Sequence, residues 1–392
     1  MNNAKNIIPI YLDYHATTPV DPRVFEEMKP YFCERFGNAA SSTHAWGWMA
    51  EEAVTLAREK VASCVGAVSR EIVWTSGATE SINMALKGVC HSYESRGKHI
   101  ISCETEHSSV LTTLHYLESQ GFKVTYLPVN QMGEIDLEKL RKEITKETIL
   151  ISLIAAHNEI GIIHPLQEIG KIAKEHGVFF HVDAAQACGK IPLDVESMGI
   201  DLLSASAHKF YGPKGIGFLY VRKRNPYVNL TPLIHGSPTH EGGLRGGTPA
   251  VPLIVGLAKA LDIAVSEMGT ESQRITHLRK RLWKGLNEKL AVHLNGHPSN
   301  RIPGNLNVSF EGVLASEVIA KMTQVALSTG SACSSGSQKA SYVLRAMGFS
   351  EERSSSSIRF GLGRFTTEKE IDEVIAQLVH VVTNLTSEKR GS

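Results

Sequence analysis

The sequence has few of the features that mark a secreted, metal-binding or membrane protein. Its six cysteines are scattered without a Cys-x-x-Cys pair, which argues against a structural zinc site and against a disulfide framework. No apolar run approaches the roughly 18 residues that a membrane span needs, and no apolar stretch follows Met1–Lys5. The formal net charge is only +1, which gives no attraction for nucleic acid or an anionic membrane. We therefore expect a cytoplasmic protein whose partners include neither nucleic acid nor a membrane.

What the sequence does contain is a regular alternation of strand-like and helical segments. Its 392 residues, 42% hydrophobic and 21% charged, describe an ordinary globular chain with room for one large and one smaller domain. Short apolar runs lie at Glu71–Trp74, His99–Ser102, Lys123–Leu127, Ile149–Ile154, Val178–Val182, Leu202–Ala205 and Ile216–Val221. Most are separated by amphipathic stretches of helical length. Because both faces of the strands are apolar, we predict an α/β fold with a mainly parallel sheet covered on both sides.

Two longer helical predictions frame this region. The Asp21-Pro22 pair has the composition of a helix start, and the helix is predicted to run to about Phe32. A second helical stretch, from Val251 to about Leu290, leads to a C-terminal α+β region. We place a soft domain boundary near residue 262.

Two residues suggest a cofactor. Asp183 directly follows the apolar strand Val178–Val182, and Lys209 follows the next apolar run, so both lie where α/β sheets place functional groups. Pyridoxal 5′-phosphate requires a lysine for its aldehyde and an acidic partner for its ring nitrogen. Gln186 is near enough in sequence to reach the phenolic oxygen of such a cofactor. From residue type alone, Asp183 could equally cap a helix and Lys209 could be a solvated surface residue.

Two further segments support a bound cofactor. Thr75–Ser81 joins a strand to a helix start through small residues, a turn that directs backbone N–H groups at an anion. It lacks the Walker lysine, and a plain helix cap is the alternative. His107 follows another strand, where a neutral imidazole could stack on a cofactor ring and shuttle protons. A capping histidine explains that position equally well.

Cys333 lies in the Ser- and Gly-rich segment Ser328–Ser337, without an apolar anchor around it. We predict an exposed loop with a reactive thiolate, an incidental surface cysteine being the alternative. Arg359 precedes a glycine bend and could clamp a substrate carboxylate or form a structural ion pair. His293 and His297 do not share a helix face, so no intrinsic metal site is predicted.

Together these segments resemble the cysteine desulfurases of the class V aminotransferase group, which have pyridoxal-phosphate fold type I. The resemblance extends from Tyr11–Pro19 to Arg359–Thr366. The segments that fall in the family's order and spacing between these ends are Thr75–Ser81, Thr105–His107, Asn158–Gly161, His181–Asp183 and His208-Lys209. The Gly-Ser-Ala-Cys loop is similar to that of the NifS/IscS-like branch rather than the SufS-like branch.

The resemblance implies an enzyme that converts L-cysteine to L-alanine and transfers the sulfur to Cys333 as a persulfide. It implies a mainly parallel seven-stranded sheet in a large domain, residues 17–262. A smaller α+β domain, residues 1–16 and 263–392, would carry the cysteine loop at about 327–338. The expected partners are L-cysteine, a second copy of the chain in a homodimer, and an iron–sulfur scaffold or another sulfur-acceptor protein.

The resemblance also assigns roles to individual residues. Lys209 would carry the cofactor as a Schiff base, His107 would stack on its ring and move protons, and Cys333 would take the sulfur. The residues implied to contact the cofactor are Ala78, Thr79, His107, Asn158, Asp183, Gln186, Ser206, His208, Lys209 and, from the other subunit, Thr248. The residues implied to bind the substrate are Asn38, Asn158 and Arg359. No intrinsic metal is implied, although Cys333 could transiently contact a nascent cluster on a scaffold partner.

The sequence departs from the family's usual pattern in two places. Asn38–Ser41 reads Asn-Ala-Ala-Ser where Asn-Pro-Ala-Ser is more usual, and the chain stops at Ser392 without the longer acceptor-docking tail of IscS-like members. A general iron–sulfur scaffold, a nitrogenase-type scaffold and a tRNA-thiolation partner therefore all stay open as acceptors. Another class V activity, such as an aminotransferase or selenocysteine lyase, is an alternative function. A non-enzymatic sulfur carrier is a third, against which the Asp183 and Lys209 pair argues.

Overall fold

The structure is a computed structural model that describes residues 9–329 and 340–390. The helices are α1 (Pro22–Met28), α2 (Pro30–Cys33), α3 (Ala45–Cys64), α4 (Ala78–Tyr93), α5 (Ser108–Ser119), α6 (Leu137–Glu143), α7 (Leu166–Glu175), α8 (Val251–Ser266), α9 (Met268–Asn287), α10 (Ala315–Lys321), α11 (Tyr342–Ala346), α12 (Glu351–Ser355) and α13 (Glu368–Arg390). The strands are β1 (Ile10–Tyr11), β2 (Ile72–Thr75), β3 (His99–Cys103), β4 (Lys123–Leu127), β5 (Thr148–Ile154), β6 (Phe179–Asp183), β7 (Leu202–Ser206), β8 (Gly217–Val221), β9 (Val292–Leu294), β10 (Asn305–Phe310), β11 (Val325–Ala326) and β12 (Ser357–Gly361). Across these two ranges, no helix is long and apolar enough to cross a membrane.

Seven strands form the central sheet, in the order β2-β8-β7-β6-β5-β3-β4. Neighbouring strands from β7 to β4 are parallel, whereas β8 is antiparallel to both β7 and β2. Strand β8 therefore runs against the other six, and the carboxyl ends of those six strands meet at one edge. The predicted mainly parallel seven-stranded α/β sheet is confirmed.

Helices cover both faces of this sheet. Helices α1, α3, α7 and α8 pack on one face, where Val54, Phe180 and Leu257 belong to one buried core. Helices α4 and α5 cover the other face, with Ile82 and Leu114 in a second core. Because every residue of β5, β6, β7 and β8 is buried, these strands are nearly continuous apolar runs, as two-sided burial requires.

A three-stranded antiparallel sheet, in the order β12-β10-β9, lies in the C-terminal part of the chain. Helices α9, α10 and α13 pack on it around a core that includes Leu282, Val318 and Leu378. Leu12 belongs to the same core, and β1 pairs in parallel with β11. The first described residues therefore pack with the C-terminal part, while the domain boundaries at 16 and 262 stay predictions.

Both long helical predictions are interrupted in the structure. The first divides into α1 and α2 at Pro30, because proline lacks the N–H that would continue the helix. The second divides into α8 and α9 at Glu267, which caps one helix and begins the next.

Candidate active site

Four of the predicted site residues lie at one edge of the central sheet. His107 follows β3, Asn158 follows β5, Asp183 ends β6 and Ser206 ends β7. Since these strands run parallel, their carboxyl ends meet at the same edge. Strand β2 runs in the same direction and brings the turn before α4 to this edge as well.

Lys209 ends a short 3-10 turn that continues directly from β7. Its Nζ donates to the carbonyl oxygens of His15 and Ala16, both at 2.8 Å. The neighbouring residues Ala207 and Phe210 are buried. The amine is therefore held at the sheet edge by the N-terminal segment of the chain.

Asp183 is a buried carboxyl group beside this amine. It is 2% exposed, and its Oδ1 accepts a hydrogen bond from the N–H of Ala185 at 2.9 Å. Desolvation raises the pKa of Asp183, while the charges of His107 and Lys209 oppose that increase. A buried carboxylate in this position gains most from a cationic partner, such as a protonated ring nitrogen.

His107 caps helix α5, so the structural alternative from the sequence is present. Its Nδ1 accepts from the N–H of Ser109 at 3.2 Å and lies 2.7 Å from the hydroxyl oxygen of the same residue. Because Nδ1 is an acceptor, the proton of the neutral ring lies on Nε2. Burial lowers the pKa of His107, and the nearby charge of Asp183 opposes that decrease. A neutral imidazole with this tautomer can cap the helix through Nδ1 and present an N–H donor at Nε2.

The turn before α4 has the features of an anion site. Gly77 has φ 154° and ψ −179°, a conformation that is almost restricted to glycine. No side chain caps the helix that begins at Ala78, so the first N–H groups of α4 are left for another acceptor, such as an anion. A Cβ added to Gly77 would lie 3.4 Å from Oγ of Ser206, which is 4% exposed. The predicted residues Ala78, Thr79 and Ser206 are thus brought together at one cradle.

Two residues predicted to contact the phosphate have other environments. His208 is partly buried, its Nδ1 lies 3.1 Å from Oγ1 of Thr17, and desolvation lowers its pKa to about 4. Thr248 is exposed and lies just before α8. A contact from Thr248 to a partner's phosphate site stays a prediction.

Arg359 is a buried arginine that makes the structural ion pair considered as one alternative. Its Nη2 lies 2.7 Å from Oδ1 of Asp13, and its Nη1 donates to the carbonyl oxygen of Asn158 at 3.2 Å. Asn38 is exposed in the loop between α2 and α3, and its Oδ1 accepts from the N–H of Ala40. The roles of Asn38, Asn158 and Arg359 in substrate binding stay predictions, and Cys333 lies outside the described residues.

Gln186 contacts two residues, His15 and Lys190, that the sequence did not indicate as part of the site. Its Nε2 donates to the carbonyl oxygen of His15 at 2.8 Å, and its Oε1 accepts from Nζ of Lys190 at 2.6 Å. Residue type alone gives no signal for His15 or Lys190. A histidine and a lysine in segments so far apart are brought to the site by the fold alone.

The chemistry of this edge suits pyridoxal phosphate at three points. The first N–H groups of α4, which no side chain caps, and the hydroxyl of Ser206 suit a phosphate, and the buried carboxylate of Asp183 suits a protonated ring nitrogen. The amine of Lys209 suits an aldehyde. Among the described residues, no cluster of His, Cys, Asp and Glu could hold a metal ion.

The family model described as Aminotransferase class-V matches residues 10–374. The chain therefore belongs to the aminotransferase class-V family, and its cofactor is pyridoxal phosphate.

Two named relatives are similar over almost their whole length. A protein of Anaeromyxobacter sp. (strain Fw109-5), named cysteine desulfurase IscS, is 55% identical over 96% of this chain and 93% of its own. A protein of the same name from Rickettsia bellii is 51% identical over 98% of this chain and 94% of its own.

Solved structures have the same fold. A structure described as a NifS-like protein has a TM-score of 0.89 and 39% identity, covering 96% of this chain and 99% of its own. One described as SspA in complex with cysteine has a TM-score of 0.81 and 38% identity, covering 91% of this chain and 100% of its own.

Proposed function

We propose that this chain is a pyridoxal-phosphate-dependent cysteine desulfurase, which converts L-cysteine to L-alanine and leaves the sulfur on Cys333 as a persulfide. The observation that carries this function is the identity of 51–55% to proteins named as cysteine desulfurases, over nearly the whole chain. A similar solved structure is a complex with cysteine, which supports cysteine as the substrate. The amine of Lys209 and the buried carboxylate of Asp183 provide the matching chemistry at the sheet edge.

The chain's own residues divide the work of binding and proton transfer. Lys209 would hold the cofactor covalently, Asp183 would bind its ring nitrogen, and the Gly77 turn with Ser206 would bind its phosphate. The bound cofactor supplies an electron sink at the substrate α-carbon. His107, whose pKa is lowered by burial, carries the proton of its neutral ring on Nε2 and would present that N–H as a donor at the site.

Cys333 would carry out the sulfur transfer. Its thiolate attacks the sulfur of the substrate, so that a sulfur–sulfur bond forms and the carbon–sulfur bond breaks. The electron pair of the broken bond stays with the β-carbon, which takes up a proton and becomes the methyl group of alanine. The enzyme thiol and L-cysteine thereby give an enzyme persulfide and L-alanine, with no other oxidant or reductant.

The described flanks of the cysteine segment support this role. The carbonyl oxygen of Ser328 accepts from the backbone N–H of Arg359 at 2.7 Å. On the other side, the hydroxyl of Tyr342 donates to the carbonyl oxygen of Glu106 at 2.5 Å, directly before His107. The described residues on both sides of the cysteine segment are therefore attached to residues beside the site.

A homodimer is part of this proposal, with Thr248 contacting the phosphate site of the other subunit. Large apolar side chains between residues 25 and 56 are exposed in the single chain, and such a concentration marks an interaction surface. These side chains are Phe25, Phe32, Phe36, Trp46, Trp48, Met49 and Leu56. A second copy of the chain would cover this surface and would also bring Thr248 to the phosphate site of the other subunit.

The persulfide would pass to an iron–sulfur scaffold or another sulfur-acceptor protein in the cytoplasm. The described cysteines are free thiols, as expected in a reducing compartment. The acceptors that stay open are a general iron–sulfur scaffold, a nitrogenase-type scaffold and a tRNA-thiolation protein.

The proposed function is tested by replacing Cys333 with alanine. We expect C333A to keep the cofactor absorbance, because the binding residues are untouched, and to lose release of sulfide and formation of alanine from L-cysteine. The control is Cys33→Ala, since Cys33 is exposed at the end of α2, and it should turn over cysteine like wild type. Radiolabelled sulfur from cysteine should remain on wild type and be absent from C333A. Full activity of C333A would overturn the proposal.

A further inference from the structure

Hydrogen bonds connect a second lysine, Lys190, with Lys209. The Nζ of Lys190 donates to Oε1 of Gln186 at 2.6 Å, and Nε2 of Gln186 donates to the carbonyl oxygen of His15 at 2.8 Å. The same carbonyl accepts from Nζ of Lys209, also at 2.8 Å. The two lysines are therefore joined through one carboxamide and one carbonyl group.

The contacts of Gln186 determine which end of its carboxamide faces which way. Its Oε1 lies 2.6 Å from Nζ of Lys190 and 3.3 Å from Nδ1 of His15. A flipped carboxamide would place its NH₂ hydrogens against the amine of Lys190 and its oxygen against the carbonyl oxygen of His15, so both hydrogen bonds would be lost. Because Gln186 is 2% exposed, water would not replace the lost bonds. Lys190 and the carbonyl oxygen of His15, which can only accept, therefore together fix Nε2 as the end that faces His15.

The surroundings of Lys190 disfavour the charged form of its amine. Desolvation and then the charge of Lys209 lower the pKa of Lys190 to about 7. The other charged or titratable groups that face it are Cys188, Glu271, Arg359, His15 and His208. Its hydrogen bond is to a neutral amide, which compensates a desolvated ammonium poorly.

The carboxylate of Glu271 is engaged elsewhere. It accepts from Nε and Nη2 of Arg364 at 2.9 Å and 3.1 Å. Lys190 therefore contributes little to the stability of the fold through an ion pair. Its main effect is to orient the carboxamide of Gln186.

We propose that Lys190 is a positioning residue for the cofactor site, which acts by holding the Gln186 carboxamide in one orientation. A carboxamide nitrogen carries two hydrogens, and the bond to His15 uses one of them. The fixed orientation presents the second hydrogen as a donor, and it keeps the His15 carbonyl in place against Lys209. This inference rests on the proposed pyridoxal-phosphate function.

The first test is cofactor affinity in Lys190→Met, which keeps most of the apolar stem and removes the donor and the charge. Titrating the apoenzyme with pyridoxal phosphate, we expect the dissociation constant to rise about tenfold, the equivalent of one lost hydrogen bond of about 1.4 kcal/mol. Lys171→Met, an exposed lysine on α7, is the matched control and should bind like wild type. Urea unfolding of each variant establishes that the protein is folded.

Two further measurements separate positioning from a general structural role. Because K190M removes a positive charge near Lys209, the pH-dependent absorbance transition of the bound cofactor should move upward by about half a pH unit. In a Gln186→Ala background, K190M should weaken binding by no more than about twofold, since the group through which it acts is gone.

Three results would overturn the inference. The first is an unchanged dissociation constant for pyridoxal phosphate in K190M, and the second is an absorbance transition that stays at the same pH or moves to lower pH. The third is a double variant that binds pyridoxal phosphate about tenfold more weakly than Q186A does. Alanine formation from L-cysteine by the wild-type protein is measured in parallel. Its absence would overturn the proposed function, whereas the comparison of cofactor binding would still decide the role of Lys190.

Discussion

Arg364 connects the start of α1, helix α9 and the turn that carries Lys209. Its Nη1 lies 2.7 Å from Oδ2 of Asp21, and its Nε and Nη2 bind the carboxylate of Glu271 at 2.9 Å and 3.1 Å. The guanidinium also lies over the ring of Tyr211, 4.2 Å from its centre. The side chain of Arg364 is 8% exposed, and those of Asp21 and Glu271 are 2% and 14% exposed. Water therefore screens these charges little.

Replacing Arg364 with methionine keeps much of the apolar stem and removes the cation. Removing one partner of a buried ion pair costs about 3–5 kcal/mol, because the remaining charge is left without its partner. The lost contact with the Tyr211 ring adds about 0.5–1 kcal/mol. Asp21 keeps its bonds to Arg23, so we place the loss in the free energy of unfolding of R364M near 4 kcal/mol.

The assay is urea unfolding at one protein concentration and pH 7, followed by far-UV circular dichroism. The matched control is Arg281→Met, which removes a two-pronged pair with Asp372 at 2.7 Å and 2.8 Å. Arg281 and Asp372 are 41% and 51% exposed, so R281M should lose less than about 1 kcal/mol. Equal losses in the two variants would refute the reasoning that burial, and not the number of bonds, decides the cost.

Two other predictions concern the surroundings of the site. Burial raises the pKa of Glu159 to about 7, so the folded protein holds a proton that the unfolded chain releases near pH 4.5. The free energy of unfolding therefore falls as pH rises from about 4.5 to 7. In unfolding measured from pH 5 to 8, Glu159→Gln should reduce that fall by about 3 kcal/mol. An identical pH slope in E159Q and wild type would contradict this. Gly77→Ala should weaken pyridoxal phosphate binding at least about tenfold, because alanine strains the backbone before α4, whereas Gly269→Ala, in a helix with open space around it, should bind normally. Equal cofactor affinity in G77A and G269A would show that the turn tolerates a side chain.

The central sheet could be predicted closely because its strands are buried on both faces. The run Lys123–Leu127 coincides with β4, and Ile149–Ile154 falls one residue short of β5. The direction of β8 could not be predicted, since an apolar run has the same composition in a parallel and an antiparallel strand. The break at Glu267 has no proline, and the only weak helix former beside it is Gly269, which is too weak a signal to predict the end of a helix.

The site was predictable where local pattern and strand position agree. Asp183 and Ser206 end strands at the predicted edge, and the turn at Gly77 opens a helix. The ion pair of Arg359 with Asp13 joins residues from opposite ends of the chain, so no local pattern indicates it. A structural pair and a substrate clamp require the same residue type, and only the three-dimensional neighbours distinguish them.

The N-terminal segment explains how these distant parts meet at Lys209. The N–H of Tyr14 donates to the carbonyl oxygen of Gly361 at 3.1 Å, and both the N–H and the hydroxyl of Thr18 donate to the carbonyl oxygen of His208. Between these two attachments, the carbonyl groups of residues 15 and 16 accept from Lys209. The two carbonyl oxygens thus take two hydrogen bonds from the amine of Lys209. Once the nitrogen of Lys209 engages the cofactor it cannot keep both bonds, and the segment must then be held by its attachments to β12 and to the turn after β7.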